Sequence, residues 1–99
     1  MPIIVVSRWQ IKPDQARQLV RESAPMLRQH GAQNVYIGMV RTGAHSGQTT
    51  VAVSYQNWES FGRAQDALHN DNNYQKIMDQ AHQQGQLVDR VVISEEEIQ

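Results

Sequence analysis

Residues 3–11 read Ile3-Ile4-Val5-Val6-Ser7-Arg8-Trp9-Gln10-Ile11, between Pro2 and the Lys12-Pro13 pair. Four β-branched residues in succession, with apolar side chains at both odd and even positions, predict a strand covered on both faces. Alternation sorts Ile3, Val5, Ser7 and Trp9 onto one face and Ile4, Val6, Arg8 and Gln10 onto the other. The first set is too apolar to leave in water, so if it points away from the chain's own helices a partner must cover it.

Working outward, Pro13-Asp14 opens a segment in which Ala16, Leu19, Val20, Ser23 and Leu27 recur at helical spacing, with Gly31 as the stop after His30. Pro25 falls inside this helix and predicts a kink near residues 22–26, because it removes one backbone hydrogen bond. Two strand-like runs follow, residues 33–42 and 49–56, joined by the glycine-bracketed loop 43–48 into a hairpin. Asn57 is a natural cap for a helix starting at Trp58, with Trp58, Phe61, Ala64, Ala67 and Leu68 on one apolar face. The polar run 70–73 interrupts it, and a short helix carrying Tyr74, Ile77, Met78 and Ala81 continues to Gly85. Residues 86–93 give a fourth strand, and the acidic end 94–99 is expected to fray. The order β-α-β-β-α-(α)-β predicts one α+β domain over residues 1–99, a ferredoxin-like four-stranded antiparallel sheet with helices on one face.

Composition narrows the function classes. A chain of 99 residues buries only about 60–65% of its unfolded surface, so further burial by self-association would help it. Nine basic against ten acidic residues, with no basic stretch, argue against nucleic acid as a partner. Without cysteine there are no disulfides, thiolate metal sites or thiol nucleophiles. No apolar run approaches the roughly 18 residues of a membrane span, and the start has no basic leader, so no membrane association and a cytoplasmic location are expected. Gly-rich phosphate loops, paired catalytic carboxylates and closely spaced histidine ligands are also missing, so no metal and no cofactor are predicted.

Three stretches carry a family resemblance that spans nearly the whole chain: Trp9-Gln10-Ile11-Lys12-Pro13 entering the first helix, Tyr55-Gln56-Asn57-Trp58-Glu59-Ser60 entering the second, and Leu68-His69 before the polar break and Tyr74. They resemble the dimeric α+β barrel superfamily, which includes antibiotic-biosynthesis-monooxygenase-like and NIPSNAP-like proteins. The resemblance implies a homodimer whose two sheets close an eight-stranded barrel, and a pocket between sheet and helices in each chain. Members range from cofactor-independent quinone oxygenases and haem-degrading enzymes to proteins without assigned chemistry, so the fold does not choose the activity. The haem-degrading branch places an asparagine on the first strand, where this chain has Ser7, Arg8 and Gln10.

His69 matches a position where many monooxygenase-like members carry a pocket histidine, and imidazole suits proton transfer near neutral pH. The plainer reading is a helix-end histidine bonded to a carbonyl or to water. Trp58 could wall a pocket and stack on a flat ligand, or simply anchor the core. Ser7, Trp9, Tyr36 and Tyr55 lie in strands, where alternate side chains share a face and could line one cavity. His45 in the hairpin loop, His30 at a helix end and His82 receive no catalytic role. The expectation is a small-molecule-binding dimer with a small aromatic ligand, and a cofactor-independent monooxygenase-like enzyme acting on an aromatic or quinone-like compound. The alternatives are a non-catalytic ligand-binding or structural module, and a tautomerase using Pro2 once Met1 is removed.

Overall fold

The computed structural model describes residues 1–99. Its elements are β1 (Ile3–Gln10), α1 (Pro13–Gln29), β2 (Asn34–Met39), β3 (Thr49–Tyr55), α2 (Trp58–His69), α3 (Asn72–Gln84) and β4 (Gln86–Ser94). The strands form one antiparallel sheet in the order β2-β3-β1-β4, the ferredoxin-like arrangement expected from the sequence. Each βαβ half returns its last strand beside the other half's first, which places apolar β1 at the centre with a partner on both edges.

Local chemistry sets the element ends. Asn57 Oδ1 accepts a hydrogen bond from the Ser60 backbone N–H at 2.8 Å, satisfying an amide that the first turn of α2 leaves free. Asp71 caps α3 in the same way through Asn73 and Tyr74. Pro25 lies within α1, which continues past it to Gln29, with Ala24 and Leu27 buried on either side. The β2–β3 hairpin is shorter than the sequence suggests, yet Val40 and Gln48 extend it by one further backbone bond at 2.9 Å. At Gly85 the reason for glycine is space: a Cβ would sit 2.7 Å from both the Gln10 carbonyl oxygen and Ile11 Cβ, where α3 turns into β4.

Register decides which face of β1 is which. Ile3, Val5, Ser7 and Trp9 oppose Tyr55, Val53, Val51 and Thr49 on β3, and this whole set faces the helices. Two buried clusters result. One joins Ile3, Val5, Val53 and Tyr55 to Leu27 and Leu68, and the other joins Trp9 and Ile11 to Ala16, Leu19 and Ala81. Each large aliphatic side chain buried this way contributes about 1.5–3 kcal/mol.

The uncovered face therefore belongs to the second set of β1 residues. Ile4 and Val6 lie there opposite Ile93 and Val91 of β4, with Tyr36 two strands away opposite Ala52. Val91, Ile93 and Tyr36 are exposed. An ion pair borders the apolar part of this face, on the next rung after Val6 and Val91: Arg8 Nε donates to Asp89 Oδ1 at 2.8 Å, and a second guanidinium nitrogen reaches Asp89 Oδ2. Hydrogen bonding to Arg8 holds the Asp89 carboxyl below the usual carboxylate range.

Candidate functional site

Between the sheet and the three helices the two buried clusters are bridged only by the partly buried Val51, and the gap beside it is a cavity of about 130 Å³. That is close to the roughly 150 Å³ of an apolar cavity able to hold one benzene ring. Of its 22 lining residues, 17 are hydrophobic, and the polar ones are Ser7, Ser23, Thr49, Gln65 and Arg90. α1 contributes Leu19, Val20, Ser23 and Leu27 from successive turns of its sheet-facing side, while β1 and β3 supply the floor. The side over β4 is less covered, because Arg90 and Val92 face the helices yet stay exposed. The cavity opens there.

Arg90 gives this opening its charge. Its Nε donates to Ser7 Oγ at 2.9 Å, across the β1–β4 pair in which the two residues are directly opposed. The bond fixes the guanidinium over the floor and leaves its terminal nitrogens for a ligand. Two phenols stand near it. Burial pushes the Tyr55 hydroxyl up to about 12, with the neighbouring Tyr74 adding to the rise and Arg90 opposing it. Burial raises Tyr74 as well, again against Arg90. Both remain neutral hydrogen-bond donors near pH 7. An apolar slot with one fixed cation and neutral donors at its mouth favours a ligand that is mostly ring and carries an anion or incipient anion at one end.

Tyr74 is positioned by a link that runs outside the cavity. His30 Nε2, at the end of α1, lies 3.0 Å from Asp71 Oδ2, and Asp71 Oδ1 accepts from the Tyr74 amide at 3.1 Å and the Asn73 amide at 3.0 Å. The bond from His30 comes first among the causes that lower the Asp71 carboxyl, followed by those amides. A depressed folded value means that this carboxylate stabilises the fold above its ordinary range, near 3.8, and that the contribution disappears as pH falls through the depressed value. Thermal unfolding measured between pH 5 and pH 2 should show a shallower acid decline for Asp71→Asn than for the wild type. Parallel curves would remove Asp71 from that decline.

The structure brings together Ser7, Trp9 and Tyr55 of the predicted pocket residues, all in the cavity wall. It does not bring the others there. Tyr36 is 63% exposed on the opposite sheet face, since its register partner is Ala52 and not a helix-facing residue. Trp58 is 56% exposed at the first turn of α2, where its ring meets Phe61 edge-on at 5.9 Å and Phe61 takes the place at the wall. His69, the last residue of α2, is exposed and outside the wall. His82, on α3, tilts against Trp9 at 5.2 Å and is not part of the cavity wall. Pro2 is exposed and lines a separate groove on the uncovered face. Arg90, Thr49 and Gln65 are the residues that sequence reasoning did not single out. For Arg90 the sequence offered only its neighbour Asp89 of opposite sign, which puts one charge on each face without saying which charge faces the helices.

Forty-two chains of solved structures match this fold. SnoaB, a cofactor-independent oxygenase from Streptomyces nogalater, superposes with a TM-score of 0.70 at 10% identity, covering 98% of this chain and 95% of that one. A NIPSNAP family protein from Agrobacterium tumefaciens gives 0.66 at 14% identity over 99% and 89%. An uncharacterized NIPSNAP-like domain protein from Burkholderia xenovorans gives 0.58 at 14% identity over 93% and 81%. The fold is thus shared with these oxygenase and NIPSNAP-family structures, the architecture that the helix-entry motifs led one to expect. A search of the curated proteins finds no match to the sequence. At sequence level residues 8–92, which hold β1 from Arg8 onward, all three helices and the strand bearing Arg90, match the family described as domain of unknown function DUF6854, and the chain belongs to that family.

Proposed function

We propose that this chain binds a small aromatic or quinone-like compound in the sheet–helix cavity and acts on it as a cofactor-independent monooxygenase-like enzyme. The observation that carries the reading is the Arg90 guanidinium, fixed by Ser7 at the mouth of an otherwise apolar slot. A phenol or enol whose oxygen lies against Arg90 loses its proton more easily, since a nearby cation stabilises the anion and the apolar walls strengthen that attraction. Such an anion is the electron-rich form that reacts with dioxygen. Without an external reductant the substrate supplies every electron, as when a ring CH2 becomes a carbonyl and one water leaves per dioxygen consumed. Tyr55 and Tyr74, neutral phenols in the same wall, add donors that do not compete for the proton.

Arg90→Gln should lower oxygen consumption on a panel of single-ring phenols, resorcinols and hydroquinones by about 100-fold or more, the usual scale for removing an oxyanion partner. Arg90→Lys should retain part of the rate. His69→Ala, altering a side chain outside the cavity, is the control expected to leave turnover unchanged. Equal rates for Arg90→Gln and wild type would defeat the reading, and loss of activity in His69→Ala would return the proton-transfer role to that histidine.

The same proposal includes a homodimer. Ile4, Val6, Val91 and Ile93 form a continuous apolar patch on the uncovered face, and a second copy of the sheet would cover it and close an eight-stranded barrel.

A further inference from the structure

We propose that Thr49 is a specificity residue of the same cavity, which accordingly takes a single-ring ligand with polar groups at both ends: an acidic one at Arg90 and a hydrogen-bonding one at Thr49. This rests on the cavity being a ligand site, as argued above. Thr49 is 2% exposed and forms part of the cavity wall, yet its Oγ1 is buried and has no hydrogen-bond partner. Leaving a buried hydroxyl unmatched is costly, and a valine of nearly the same shape would avoid that cost in this strand position. Ser7 Oγ, the other hydroxyl of the floor, is already satisfied, since it accepts from Arg90 Nε.

Strand register gives the spacing. Ser7 is opposed by Arg90 on β4 and Val51 on β3, while Thr49 is opposed by Trp9. Ser7 and Thr49 are therefore diagonal neighbours on one sheet face, about 7–8 Å apart. The floor between them is the side chains of Trp9 and Val51, both cavity-lining. Arg90 lies one strand further from Thr49 than Ser7 does, about 12 Å across the sheet. One benzene ring with para polar substituents and a hydrogen bond of about 3 Å at each end spans that distance, in a cavity of about 130 Å³ that has room for one ring. A ring acid fits this pattern, with its carboxylate on the Arg90 fork and a hydroxyl reaching Thr49 Oγ1.

Benzoate and 4-hydroxybenzoate are the probes, titrated against the intact protein and followed by amide chemical shifts. Wild type should bind 4-hydroxybenzoate about tenfold more tightly than benzoate, the scale of one well-made buried hydrogen bond. Thr49→Val should abolish that preference by weakening 4-hydroxybenzoate alone, and Thr49→Ser, which restores a hydroxyl, should recover it. Equal affinity of the two probes for wild type, or a preference that survives in Thr49→Val, would overturn the role of Thr49 while leaving the cavity as a ligand site. Failure of both probes to bind wild type would overturn the cavity reading and this inference with it.

Discussion

Replacing Tyr55 with alanine is expected to destabilise the fold by about 3–5 kcal/mol, a large share of the roughly 5–15 kcal/mol that holds a domain of this size together. Tyr55 is 1% exposed at the end of β3, opposite Ile3, and its ring meets Phe61 of α2 edge-on at 5.7 Å. The residue therefore joins the central strand pair to a helix that otherwise rests on few large side chains, Ala64 and Leu68 being the buried ones. Truncation would add a void beside an existing cavity, and surrounding structure relaxes only partly into such a void. Tyr55→Phe keeps the ring and should recover most of the loss. Urea unfolding of the three proteins measures this directly. A Tyr55→Ala midpoint close to wild type would mean that α2 is held by something other than this contact.

That contact also shows how much of the structure was legible beforehand. Periodicity located every helix and strand, because the apolar positions of α1 and β1 repeat with the right period and Asn57, Asp71 and Gly85 punctuate them. The site was read less completely, for reasons specific to β4. Counting alternate residues from Leu87, which faces the helices, would put Asp89 and Val91 beside it and send Arg90 to the other face. The ladder instead pairs Arg8 with Asp89 and Trp9 with Leu87, so Val88 is a bulge that shifts the parity and delivers Arg90 to the cavity. A bulge of one residue is invisible in a pattern whose period is two. Thr49 was missed for a different reason: a threonine at a strand start is ordinary, and only the want of a partner for its hydroxyl distinguishes it.

Trp58 and Tyr36 illustrate the opposite error, in which residue type suggested burial that position does not provide. Trp58 sits one residue after the cap, where α2 has not yet come over the sheet, and the wall is made by Phe61 one turn later. Tyr36 lies on β2, an edge strand, on the side away from the helices. Both leave aromatic surface in solvent, and for Tyr36 that surface is continuous in register with the apolar residues of the uncovered face. Its exposure belongs with the question of what covers Ile4, Val6, Val91 and Ile93.

Val91→Glu is expected to convert a dimer into a monomer while leaving each chain folded. Val91 is 48% exposed and lies opposite Val6 on the uncovered face, so within one chain a carboxylate there stays in water and should change stability by no more than about 0.5 kcal/mol. Facing a second sheet, the same carboxylate would be taken from water beside Asp89, whose own charge is already engaged by Arg8, and would have no cation left to meet it. A buried unpaired charge costs several kcal/mol, and in a twofold assembly it is introduced twice, so the dimer Kd should rise by at least about 1000-fold. Sedimentation at micromolar concentration should give about twice the 11.3 kDa chain mass for wild type and the single-chain mass for the variant. Circular dichroism should be unchanged, apart from any stability that dimerisation itself supplies. A wild-type monomer, or a variant that still sediments as a dimer, would show that this face is not where two chains meet. The uncovered patch would then need another account, because Ile and Val on and next to an edge strand left in water are a site for non-specific pairing that the bordering Arg8–Asp89 pair alone would have to discourage.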